Sequence, residues 1–164
     1  MAEAAPATHR VETAAAELGL RIDIRVMPET TRTAEQAAKA VGCAVGQIVK
    51  SLIFKGKKSG KPYLLLVSGA NRVDEALAAT AIGEAIERPN AAFVREVTGY
   101  AIGGIPPLAH ATLLATWFDR DLLAYDRVWA AAGTPNAVFA VDPKALCRAI
   151  GAEVIAMTGT PAKP

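Results

Sequence analysis

The chain has 164 residues, which fits one domain. Its 18 basic and 16 acidic side chains leave a net charge of +2, too balanced for a histone-like polyanion binder. Apolar residues make up 52% and aromatics 5%, so the chain can bury a core but is poorly equipped to stack bases on an aromatic platform.

Residues 1–8 read as a tail. Val11, Ala14, Ala15 and Leu18 recur at helical spacing over residues 9–18, and Gly19 follows as a stop. Residues 21–26 alternate strictly, with Ile22, Ile24 and Val26 on one face of a half-buried strand. Thr33 and Gln36 form a capping-box pair that opens a helix to Val41, ended by Gly42. Residues 48–55 and 62–68 read as strands hairpinned across the GKKSGK turn. A helix covers residues 74–82, and Asn90 caps a shorter one that carries Phe93, Val94 and Val97. Residues 100–108 are irregular, 112–118 a strand, and 121–125 carry no clear signal. Residues 127–132 and 137–141 flank GTPN as a hairpin. Asp142 and Pro143 open a helix to Ile150, residues 153–157 form a last strand, and 158–164 a second tail. Helices interspersed with hairpinned strands predict an α+β domain over residues 9–157. Its central sheet is mixed and mostly antiparallel, surrounded by helices, not doubly wound.

Apolar runs such as Tyr63 to Val67 are far shorter than a membrane span, and the N-terminus lacks the basic and apolar regions of a signal peptide. Cys43 and Cys147 read as free thiols. His9 and His110 are isolated, so no zinc ligand set forms, and no nucleotide-cofactor fingerprint or serine elbow occurs. The chemistry is expected to run without metal, cofactor or histidine base.

Three segments carry what chemistry there is. In IVKSLIFK, Lys50 shares a strand face with Ile48, Leu52 and Phe54. Burial disfavours its charge, so an anionic ligand is a natural partner; an edge lysine that blocks aggregation is the plainer reading. Gly103, Gly104, Ile105, Pro106 and Pro107 combine backbone freedom with stiffness, and so can present fixed main-chain groups to a polar substrate and a water. An ordinary tight turn explains the composition equally well. Gly133, Thr134, Pro135 and Asn136 read as a hairpin turn. Five lysines and no acid from Lys50 to Lys61 suit either a solvated hairpin tip or phosphate contacts.

Taken in order, the Thr33 helix, GQIVKSLIF, LLLVSGANRVD, TGYAIGGIPPL and AGTPNAVFAVDPKAL resemble the YbaK/prolyl-tRNA synthetase-associated domain family, the freestanding ProX-like aminoacyl-tRNA deacylases. The resemblance spans residues 9–156. It implies a cytoplasmic trans-editing hydrolase that removes a small amino acid from the acceptor end of a mischarged tRNA, tRNA-Pro or similar. An aminoacyl-tRNA synthetase is an implied partner. Carried over by position, it makes Lys50, Gly103 and Gly104 catalytic. Ser68, Gly69, Ile105, Pro106, Pro107, Gly133 and Asn136 become substrate-binding. Some relatives carry histidine in the late turn; Asn136 does not titrate, so no such role transfers. An aminoacyl ester is already activated, and positioning it against a water contributes much of the rate. The alternative is a module that binds a nucleotide or tRNA end in the same pocket without hydrolysis.

Overall fold

A computed structural model describes residues 7–159. In chain order the elements are α1 (Ala7–Glu17), β1 (Ile24–Val26), α2 (Ala34–Val41), β2 (Ile48–Gly56), β3 (Pro62–Ser68), α3 (Glu75–Ile82), β4 (Ile86–Glu87), α4 (Ala91–Thr98), β5 (Ala115–Asp119), β6 (Val128–Ala131), β7 (Ala137–Val141), α5 (Pro143–Ile150) and β8 (Glu153–Ile155). The helices begin where their caps place them. Gln36 N–H donates to Thr33 Oγ1 at 3.0 Å while Thr33 N–H donates to Gln36 Oε1 at 3.3 Å. Asp74, Asn90 and Asp142 cap α3, α4 and α5 with a side-chain oxygen that accepts one main-chain N–H, from Leu77, Phe93 and Lys144.

All these strands join one sheet in the order β1-β7-β6-β2-β3-β5-β8, with β4 on the far end of β2. Antiparallel pairings outnumber parallel ones, the parallel pairs being β2–β6, β3–β5 and β5–β8. The mixed single-domain architecture is therefore the one the sequence predicts.

Several boundaries differ. Helix α1 starts at Ala7, inside the predicted first tail; residues 1–6, and 160–164 of the second, lie outside the described residues. Strand β1 is shorter than predicted, and Val26 is 68% exposed instead of sharing a buried face. It ends the sheet with β7 as its neighbour, so little packs over it. Of residues 121–125, the first four belong to a 3-10 turn, Arg120–Ala124, and β4 is a two-residue strand no pattern announced.

The two sheet faces are covered differently. One carries a continuous core in which Val49, Ile53, Leu64, Leu66, Phe118 and Phe139 pack under α1, α4 and α5. On the other face the apolar cover is split. Ile48, Trp129 and Val138 pack under α2, and Phe54, Leu65, Val67 and Trp117 under α3. Lys50 lies on β2 between these clusters, which is where alternation from Ile48 to Phe54 puts it.

Candidate functional site

A cavity of about 320 Å³ opens beside Lys50. Ala34, Ala37, Ile48, Trp129, Ala130 and Val138 make its apolar wall, and Ile102, Gly103 and Ile105 reach it from the loop after α4. Its ionisable lining is Arg32, Glu35 and Lys50. A larger groove of about 690 Å³ is lined by Arg21, Arg25 and Arg127 against Glu12, Asp23, Asp126 and Asp142. Its charges offset one another and no predicted site residue faces it.

Lys50 is held from behind. Its Nζ donates to the main-chain oxygen of Asn71 at 2.5 Å. The Asn71 amide in turn donates to Asp119 Oδ2 at 2.9 Å and Asp121 Oδ2 at 2.8 Å. Asp119 is fully buried and also accepts the main-chain N–H groups of Ser68 and Asp121, both at 2.9 Å. Burial pulls the Lys50 pKa below that of a free lysine, and Glu35 and Asp119 pull it partly back. A half-buried ammonium with one neutral partner is a cation poised for an anion.

Sequence reasoning missed this Asn71–Asp119–Asp121 brace. The asparagine of SGANRVD and the aspartates of FDRD lie about fifty residues apart, at no spacing that announces contact.

Of the predicted residues, Lys50, Gly69, Gly103 and Ile105 line the cavity. Gly69 must be glycine, because a Cβ there would sit 2.4 Å from the Val45 carbonyl oxygen. Gly103 has φ +98°, and the Arg32 side chain lies over it.

The others stand behind the wall. Ser68 is buried, donating its hydroxyl to the Gly46 carbonyl at 2.8 Å. Gly104 N–H is taken by the Ala101 carbonyl at 3.1 Å, and its Cα faces Thr134. Pro106 and Pro107 are buried, and the Pro106 carbonyl meets His110 Nε2 at 2.7 Å. Gly133 packs under Ala7 of α1. Asn136 spends its side-chain amide on the Met27 carbonyl at 3.0 Å. This is the hairpin-turn reading of 133–136, with its polar groups turned away from the cavity.

This geometry has close relatives. Residues 28–149 match the model of the aminoacyl-tRNA editing domain. The chain belongs to the aminoacyl-tRNA editing domain family. A crystal structure described as that of a candidate trans-editing enzyme for prolyl-tRNA synthetase superposes with a TM-score of 0.88 at 45% identity, covering 96% of this chain and 100% of that one. The Bacillus subtilis protein YwhH is 28% identical over 124 residues, 76% of this chain and 78% of its own. EbsC of Enterococcus faecalis, named as a candidate Cys-tRNA(Pro)/Cys-tRNA(Cys) deacylase, is 26% identical over 115 residues, 70% of each chain. The matched span contains every residue of the cavity lining, so the editing-domain fold and the Lys50 cavity coincide. Among the described residues no helix is long and apolar enough to cross a membrane.

Proposed function

We propose that this editing domain hydrolyses, in trans, the ester of a small amino acid mischarged on a proline-type tRNA, in the cytoplasm. The observation that carries the reading is the cavity itself. A cation sits on one side, small apolar side chains on the other, and the 103–105 segment closes over them. Water adds across the ester: its oxygen bonds to the acyl carbon, the bond to the ribose oxygen breaks, and free amino acid and a ribose hydroxyl result. Lys50 holds a phosphate or ribose oxygen of the acceptor end, regaining the solvation its burial removed. Ala34, Ala37 and Ala130 leave room for a short side chain. An apolar pocket separates close isosteres weakly, which is why a second sieve after the synthetase is useful.

The test is turnover of tRNA-Pro charged with alanine, serine, threonine, cysteine or a small non-protein amino acid. At least one ester is cleaved well above the buffer rate. In the Lys50→Ala variant kcat/KM falls by about a hundredfold or more, because the anion loses its fixed charge. Its melting temperature stays within a few degrees of the parent, since one part-buried hydrogen bond to a neutral carbonyl is worth about 1 kcal/mol. Tight binding without turnover of any ester makes the domain a tRNA-end binding module instead.

A further inference from the structure

One part of the cavity serves neither the Lys50 cation nor the apolar wall: the edge of β2 that faces away from β3. Gly56 N–H donates to the Lys61 carbonyl at 2.9 Å, and Gly69 N–H donates to the Ile48 carbonyl at 2.7 Å. With Lys50 opposite Val67 in between, these bonds fix the even-numbered residues of β2 as those whose main chain faces β3. The odd-numbered residues turn their N–H and C=O groups the other way. Val49 there lies against β6 beside Ala130, and Lys55 against β4 opposite Glu87. Between them β2 and β6 part, and the main chain of Ser51 faces no strand. On the other arm of the fork, Ala132 N–H bonds the Ala137 carbonyl at 2.9 Å. That bond turns the main chain of Ala131 away from β7 and toward β2. Ser51 and Ala131 both line the cavity.

The Ser51 hydroxyl is buried at this fork and has no hydrogen-bond partner among the described residues. Such a group is rare in a folded protein and calls for a ligand, a water or a functional reason. Main-chain oxygens only accept, and a serine hydroxyl can accept as well as donate. The fork therefore places the Ser51 hydroxyl and the main-chain oxygens of Ser51 and Ala131 beside a single unpaired donor, the Ser51 N–H, and this excess of acceptors suits an ammonium with its three N–H donors. The Lys50 ammonium bonds Asn71 and makes no hydrogen bond to the Ser51 hydroxyl.

We propose that Ser51, with the Ala131 carbonyl, binds the α-ammonium of the aminoacyl group and so lets the site tell amino acyl esters from isosteric hydroxy acyl esters. The identity of the ligand rests on the deacylase reading; the recognition of an ammonium does not require turnover. The experiment uses tRNA carrying alanine through a non-hydrolysable 3′-amide, and its lactyl counterpart with hydroxyl in place of ammonium. The parent binds the alanyl form about tenfold or more tighter, the scale of a charge-assisted hydrogen bond. Ser51→Ala brings the two within about twofold, and Ser51→Thr, which keeps the hydroxyl, restores the preference.

A purely structural serine behaves otherwise. Its loss weakens both ligands equally and lowers the melting temperature, whereas removal of an unsatisfied hydroxyl leaves stability equal or higher. An unchanged ratio in Ser51→Ala, or a parent that binds both forms alike, overturns the proposal. Preference for the ammonium without hydrolysis of any ester overturns the deacylase reading and leaves the ammonium site standing.

Discussion

The 103–107 loop and the 133–136 turn each set a left-handed glycine before a proline, and they touch. Gly103 has φ +98° and Gly133 +102°, and a Cβ on Gly104 would lie 2.8 Å from the Thr134 carbonyl carbon. Yet one supplies cavity wall and the other does not. In the turn the polar groups are spent on residues 27–31 or within the hairpin, where Thr134 Oγ1 donates to Asn136 Oδ1 at 3.2 Å. Met27 N–H donates to the Asn136 carbonyl at 2.7 Å, Thr31 N–H to the Pro135 carbonyl at 2.6 Å, and the Asn136 amide to the Met27 carbonyl. The loop presents Gly103 and Ile105 to the cavity while its later prolines are buried. Composition marks both as tight backbone, but only position relative to the β2–β6 fork decides which lines the cavity. The turn is the buttress on which the loop leans.

Gly104→Ala tests that relation and should have the largest effect. The added methyl meets main chain on Thr134, which cannot rotate aside, so the loop must move. A displacement of about 1 Å at a positioned substrate costs about a hundredfold in rate, and kcat/KM should fall on that scale. Overpacking should also cost about 1–3 kcal/mol. The sequence alone suggests a large fall in turnover with little change in melting temperature, from a methyl that crowds the ligand or blocks a positive φ. The structure moves the clash to the far side of the loop, so melting temperature and turnover fall together. A variant of parental stability that has lost turnover would show that Gly104 faces the substrate after all.

Much of this was legible in residue order, and the remainder was hidden for a physical reason. Lys50 could be placed because alternation along IVKSLIFK fixes a strand's faces. The helix starts could be placed because Thr33, Asp74, Asn90 and Asp142 act within three residues. The brace of Asn71, Asp119 and Asp121, and the fork at Ser51, could not. Both depend on which strands become neighbours, and the parallel pairings β2–β6 and β3–β5 join segments far apart in the chain. Ser51 looks like any serine on a strand until β6 is seen to leave β2 beside it.

Asn136→Ala probes the buttress from its other side, with an intermediate effect. It leaves the Met27 carbonyl without its partner, while the main-chain bond from Met27 N–H to residue 136 remains. The loss should be about 1–3 kcal/mol of stability, read by denaturant unfolding. At temperatures well below the midpoint kcat/KM should stay within about threefold of the parent, because the amide does not face the cavity. A hundredfold loss of turnover at parental stability would return Asn136 to the substrate.

The smallest effect concerns the brace at the loop's exit, and it is visible only as a pH dependence. His110 Nε2 lies 2.7 Å from the Pro106 carbonyl. Burial lowers the His110 pKa below 6.5, and the bond to Pro106 raises it by less. The folded state therefore favours the neutral ring, whose Nε2–H donates to Pro106, while the unfolded chain takes up a proton near the ordinary value. The stability this contributes is complete above about pH 6.5 and is lost as pH falls through the lowered folded value. Glu84 does not confuse the reading. Hydrogen bonds from the Ser59 and Tyr63 hydroxyls help hold its carboxyl down to about 2, so its contribution persists above about 4.5 and fades only below. Between pH 7 and 5 the melting temperature of the parent should drop more than that of His110→Gln, which keeps a donor for Pro106 without titrating. At pH 7 the variant should turn over within about threefold of the parent, since the ring braces the loop and touches no reacting atom. If the acid limb of the parent's kcat profile disappears in His110→Gln, the histidine exchanges protons with the substrate, and the loop's backbone is not what positions the ester.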